Sequence, residues 1–305
     1  MKRGRILTKY QALTLGKACP PVLWSAKVQH LYSTALDGAL ADSNPEPSQT
    51  YEEFAAMEDE PNEDGTGRFQ IGQDGRFDIA VLVEKDFDGT ATSISDLCRF
   101  LEAFFGLPVA AVTTALTYLV TKGRVSLVDQ AQQVEFPLKV SRRKENRGAV
   151  DAFTIFDVIS EYLPATAYAS LFVSSFPIFD PTEPASIIGG RACGDRLAVL
   201  SAHSPGGSQR SLFLVAVHEL CHTLGIDHCE AWHCLMNPCT PERDEDAALE
   251  LCPADLMKLM HAVQESGRAS LDLIKRWELL RDLCAEFGWT KDFKWFKSRL
   301  SLSAE

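Results

Sequence analysis

Residues 217–237 read VHELCHTLGIDHCEAWHCLMN, and they hold four of the chain's seven histidines, His218, His222, His228 and His233. His218 and His222 are four residues apart, so on a helix they sit one turn apart on one face. Two imidazoles placed that way can grip one tetrahedral ion. Glu219, next to the first, points elsewhere and stands beside that ion without ligating it. Gly225 suits the left-handed conformation that ends a helix, and the chain can turn back there to bring up His228. Three imidazoles leave a fourth position for water, the arrangement of a catalytic zinc. The preceding run SLFLVAVHELCHTLG (211–225) is apolar nearly all round and predicts a buried helix.

Written out, the spacing is H-E-x-x-H-x-x-G-x-x-H, the signature of the metzincin zinc peptidases. The residues downstream of it resemble the archaemetzincins in particular. Their pattern sets a Cys directly after the third His, a second Cys five residues on with a Met close behind, and a C-x-x-C about seventeen residues later. Here Cys229 comes directly after His228, Cys234 comes five later, Met236 is near it, and Cys252 arrives after seventeen intervening residues. The likeness runs loosely over residues 77–265 and strongly over 211–259, with EAFFGLPV, DAFTIFDVISEYLP and SLFVSSFPIF as its upstream parts.

The resemblance implies an α+β or α/β fold, a metzincin-like zincin with a small mixed β-sheet, an active-site helix and a helical C-terminal part. It implies a zinc metallopeptidase that hydrolyses peptide bonds with a zinc-activated water and Glu219 as general base, aminopeptidase-like on short peptides. His218, His222 and His228 would hold the catalytic Zn2+, and Met236 would be the Met-turn residue. A second, structural Zn2+ would be held by Cys229, Cys234 and Cys252. The family's fourth thiolate falls at position 255, where this chain has Asp255. Asp255 could supply an oxygen ligand, Cys239 could swing in, or this zinc could be weak or absent. Edge strand SLFVSSFPIF (170–179), with Pro177 as its edge signal, is where an extended peptide substrate would pair. The rival reading is a catalytically impaired, zinc-stabilised scaffold or peptide-binding protein. Asp255 supports it; Glu219, which a scaffold does not need, speaks against it. His233 is read as solvent-facing, Cys221 as core and Cys239 otherwise as a buried thiol. His30, His203, His261, Cys19, Cys98, Cys193 and Cys284 carry no spacing and no assigned role.

Outside the motif, 305 residues with 46% apolar and 24% charged content allow a sizeable core. A net charge of −12 speaks against a nucleic-acid partner. No apolar run approaches the ~20 residues that span a bilayer, so no membrane partner is expected. The expected partner is a peptide substrate, with oligomeric state open. Nine unevenly spaced cysteines argue for metal binding in a reducing compartment, cytoplasmic or nuclear. Residues 1–36 hold six Lys and Arg and no acid, so a mitochondrial-type presequence stays open beside a basic, unstructured start. Residues 1–75 read as a poorly ordered extension, with the acidic run 52–64 as solvated loop. Residues 76–265 read as the peptidase domain and 266–305 as a C-terminal helical segment. FDIAVLVEKD, LPVAAVTT and VDAFTIFDVI predict strands. SISDLCRFLEAFFG predicts a helix capped by Ser93 or Ser95 and closed by Gly106, and PADLMKLMHAVQ and ASLDLIKRWELLRDLCAEF predict two more.

Overall fold

The computed structural model describes residues 19–20, 31–32, 48–57, 78–87, 93–182, 186–193, 196–203, 207–238, 247–266 and 270–303. Its centre is a five-stranded sheet in the order β2-β1-β7-β10-β9, built from β1 (Asp78–Val83), β2 (Val109–Thr113), β7 (Ala167–Ser174), β9 (Gly190–Cys193) and β10 (Leu197–Ser201). The first four strands in that order run parallel, and β9 closes the edge antiparallel to β10. The inner strands are apolar on both faces because both are covered. Along β1, Ile79, Val81 and Val83 face one core while Ala80 and Leu82 face another. Burying each large side chain contributes about 1.5–3 kcal/mol, so a one-residue slip of a central strand would exchange the two sets and is strongly disfavoured.

The larger core lies under α2 (Ile94–Phe105) and α4 (Gln209–Thr223). Ser93 caps α2 by accepting from the Asp96 N–H at 3.1 Å, and Gly106 ends it at φ +65°, as the sequence pattern suggests. The helices α5 (Pro253–Glu265), α6 (Leu273–Glu286) and α7 (Thr290–Ser303) pack onto this side. A buried ion pair ties two of the layers together. Arg276 of α6 donates to Glu250 at 2.6 Å and, through Nε, to the Phe104 carbonyl of α2 at 2.7 Å. The opposite core is covered by α3 (Ala152–Ile159) and by an antiparallel three-stranded sheet of β3 (Leu116–Thr121), β4 (Arg124–Asp129) and β5 (Val134–Leu138). No helix among the described residues is long and apolar enough to cross a membrane.

Three expectations need correction, and one element was not expected. VDAFTIFDVI forms only the two-residue β6 (Val150–Asp151) before turning into α3. Asp151 caps that helix by accepting from the Phe153 N–H at 2.9 Å, and Ala152, Ile155, Phe156 and Ile159 make one buried helical stripe, so the period of 3.6 overrides strand propensity. The run 170–179 is not an edge strand. Its first part lies in β7, the middle of the sheet, and ends at Ser174; Pro177 sits in the connection to β8 (Ile178–Phe179), where no ladder donor is needed. The acidic region is not all loop, because α1 (Tyr51–Ala56) has a Thr50–Glu53 capping box and a fully buried Phe54. The hairpin β3–β4 is not among the expected elements, although Lys122-Gly123, at φ 50° and 76°, is a two-residue turn of the type that joins such strands. The basic N-terminal run falls largely outside the described residues, and Cys239 wholly so.

Candidate metal centre

Helix α4 starts at Ser208, whose side chain accepts from the Ser211 N–H at 3.0 Å, and runs apolar into the core. It ends where Gly225 takes φ +80°. There the Ile226 N–H reaches the Cys221 carbonyl at 3.1 Å and the Gly225 N–H the His222 carbonyl at 2.9 Å, a Schellman closure. The turn sends the chain back along the helix, and the three imidazoles meet. His218 Nε2 lies 3.0 Å from His222 Nε2, and each lies 3.2 Å from His228 Nε2. Tetrahedral bonds of about 2.0–2.1 Å to zinc hold nitrogens about 3.3 Å apart, so the triangle fits that ion. The other ring nitrogens are anchored. His218 Nδ1 bonds the Leu235 carbonyl at 3.0 Å, and His222 Nδ1 the Ile226 carbonyl at 2.8 Å. Such partners fix the tautomer that turns Nε2 toward a metal. Burial pushes His218 down to about 4; burial and the two neighbouring imidazoles push His222 down to about 3. Both rings are therefore neutral, the form that ligates.

Glu219 is buried beside this triangle. Burial raises its carboxyl to about 7, against the opposing pull of the Arg191 charge and of the Ala192 N–H, which donates to it. Both of these groups come from β9, the antiparallel edge strand. Gly190 of the same strand allows the approach, because a Cβ there would sit 2.7 Å from Glu219 Cγ and 2.7 Å from Val215 Cγ1. The strand edge beside Glu219 is thus β9, and not the 170–179 run where the cleft was expected.

A second cluster lies behind the turn. Cys229, Cys234, Cys252 and Asp255 bring one ligand atom each to within 4.8 Å of one another, all buried. Cys229 Sγ and Cys252 Sγ are 3.9 Å apart, and Asp255 Oδ2 is 3.1 Å from Cys234 Sγ and 3.3 Å from Cys252 Sγ. Bonds to zinc of about 2.3 Å for sulfur and 2.0–2.2 Å for oxygen imply spacings of about 3.5–3.8 Å, so this set also fits. The Cys252 and Met236 N–H groups donate to Cys234 Sγ at 3.1 and 3.5 Å, orienting the sulfur. Burial pushes the Cys234 and Cys252 thiols up, so a cation is what would let them ionise. Asp255 turns its other oxygen to Lys258 at 2.8 Å, and both side chains are only 2% exposed. Among the described residues Asp255 is the fourth group of this cluster, and Cys239 lies outside them.

Met236 is fully buried, and its carbonyl accepts from the Cys229 N–H at 2.8 Å. Several residues that hold the site are not expected from the sequence. Asn237 donates to the Cys229 and Trp232 carbonyls and accepts from the Cys234 N–H at 2.9 Å. Ser48 accepts from the Glu230 N–H at 2.7 Å; Gln49 donates to the Gly225 carbonyl at 3.1 Å and accepts from the Asp227 N–H at 3.4 Å. Residues 48–49 thus strap the turn on both sides of His228. A contact across more than 170 residues leaves no local signal, whereas Asn237 reaches back only three residues to the Cys234 N–H.

A family model described as Matrixin (Peptidase_M10) matches residues 53–265. Among solved structures, the chain is similar to an archaemetzincin from Methanopyrus kandleri, with 18% identity, 64% of this chain and 99% of that chain covered, and a TM-score of 0.47. It is also similar to a zinc-dependent peptidase from Methanocorpusculum labreanum, with 14% identity, coverage of 59% and 99%, and a TM-score of 0.43. No curated protein matches it.

Proposed function

The chain belongs to the matrixin family of metallopeptidases, and from that premise we propose that it is an archaemetzincin-like zinc peptidase with Glu219 as general base. The observation that carries this reading is the triangle of imidazole nitrogens with a buried carboxylate beside it, held by the edge strand. His218, His222 and His228 hold the catalytic zinc, and Cys229, Cys234, Cys252 and Asp255 a second, structural one. When bound, zinc supplies Lewis acidity toward water and the scissile carbonyl. This chain's own residues do the rest. The Glu219 carboxylate accepts a proton from the attacking water and delivers it to the leaving amine. The Ala192 N–H and the close packing at Gly190 keep that carboxylate aimed. The edge of β9 that no described strand pairs can take an extended peptide beside it. No nucleophilic Ser or Cys is needed.

A purely structural role leaves Glu219 unexplained, since a buried carboxylate with no task costs stability. The deciding experiment is a mass-spectrometric digest of a mixed peptide library by zinc-loaded wild type and Glu219→Ala. Cleavage by wild type alone, with zinc retained in the variant, supports the reading; the cut positions tell end-trimming from internal cleavage. Equal cleavage by both refutes the mechanism, and none by either favours the scaffold.

A further inference from the structure

The edge strand beside the site carries one charge whose place the mechanism does not use. Arg191 lies on β9 between Gly190, which packs on Glu219, and Ala192, whose N–H holds it. Side chains alternate along a strand, so Arg191 projects from the face opposite Gly190. It is not a loose surface arginine. Its Nε lies 3.1 Å from Asp180 Oδ2, and that carboxylate is only 8% exposed. Asp180 is itself pinned, accepting from Thr182 through N–H at 2.7 Å and through Oγ1 at 2.6 Å.

With Nε so occupied, the two terminal nitrogens have no hydrogen-bond partner among the described residues, and the side chain is 45% exposed. Its two strand neighbours, Gly190 and Ala192, both lie against Glu219, so Arg191 borders the stretch of β9 on which a peptide would be paired and cut. A guanidinium held along its Nε edge presents its other edge as a fork, which matches a carboxylate in two parallel hydrogen bonds. Fixing it in advance lowers the entropy lost on binding.

We propose that Arg191, aimed by Asp180, is a specificity determinant that selects peptides bearing a carboxylate near the scissile bond. The carboxylate is either the peptide's C-terminus or an Asp or Glu side chain. At about 3.3 Å per residue along a paired strand, the reach of one arginine places it within about two residues of the bond cleaved. The inference rests on the metallopeptidase reading above, and adds a substrate class to it.

The test uses fluorescein-labelled hexapeptides of alanine and phenylalanine with Glu or Gln at each interior position in turn, each with a free or an amidated C-terminus. Binding is measured on zinc-loaded Glu219→Gln protein with and without Arg191→Gln. Cleavage, as kcat/KM, is measured on wild type, Arg191→Gln and Arg191→Lys. A carboxylate member of some pair should be favoured about tenfold, by Glu against Gln or by the free end against the amide, which tells the two sources apart. The ratio should fall to near one in Arg191→Gln and survive in part in Arg191→Lys. Because the ratio is internal to each variant, partial unfolding lowers both members and leaves it unchanged. Equal treatment of every pair by wild type, or a ratio that persists in Arg191→Gln, overturns the proposal while the peptidase stands. Selective binding without cleavage by wild type overturns the peptidase reading and keeps this one.

Discussion

Gln49→Ala should loosen the turn that presents His228 and weaken metal binding without touching a ligand. Gln49 bridges the Gly225 carbonyl at 3.1 Å and the Asp227 N–H at 3.4 Å, and it is 8% exposed. A net contribution of about 0.5–1.5 kcal/mol per hydrogen bond, with the longer one at the low end, puts the strap at about 1–2 kcal/mol. Without it, the metal-free turn samples arrangements in which His228 is displaced, and binding must restore the competent one. If the full strap energy appears there, the catalytic-site affinity falls about 5- to 30-fold, at 1.4 kcal/mol per tenfold. Cobalt(II) titration separates the two sites, because the three-histidine site gives weak visible bands and the thiolate site intense near-ultraviolet charge transfer. The expected result is a right-shifted visible titration with the near-ultraviolet one in place. A visible titration within twofold of wild type, with only the melting temperature lowered, would show that Gln49 supports the fold and not the ligand.

Gly190→Ala forces a Cβ to 2.7 Å from Glu219 Cγ and Val215 Cγ1, and to 3.1 Å from the Val199 carbonyl; displacing the base by about 1 Å should cost about 100-fold in kcat with zinc content unchanged, read by steady-state kinetics and metal analysis. Asp255→Asn leaves the Lys258 ammonium, 2% exposed, without its carboxylate, and urea unfolding should show a loss of about 3–5 kcal/mol. Stripping metal with a chelator should lower the melting temperature as well as activity. At a free zinc of 1,000 Kd the linkage is about 4 kcal/mol, or roughly 8 °C at about 2 °C per kcal/mol, and an unchanged melting curve would count against a structural site.

The metal centre is legible in the sequence because its parts are close in the chain. The helix period puts His218 and His222 on one face, Gly225 supplies a backbone that can reverse there, and His228 comes within a few residues. Cys229, Cys234 and Cys252 are set together by the resemblance to the archaemetzincins, which leaves Asp255 and Cys239 unranked. At the start of α5 the Asp255 carboxylate lies against two thiols with Lys258 on its other oxygen, an arrangement that no spacing shows.

Strand β1, helix α2 and helix α4 are likewise readable from periodicity and caps. Helix α3 reads as a strand because β-branched and aromatic residues carry a strand preference that its Asp151 cap and helical stripe override. What only the tertiary structure decided was which strand forms the edge beside the site, and what holds the metal turn. Edge position is a property of the whole sheet, set by how β7 inserts between β1 and β10 and leaves β9 outermost. The strap of Ser48 and Gln49 meets its turn across more than 170 residues. Spacing writes local geometry into a sequence, but contacts closed over such distances exist only once the core has brought the segments together.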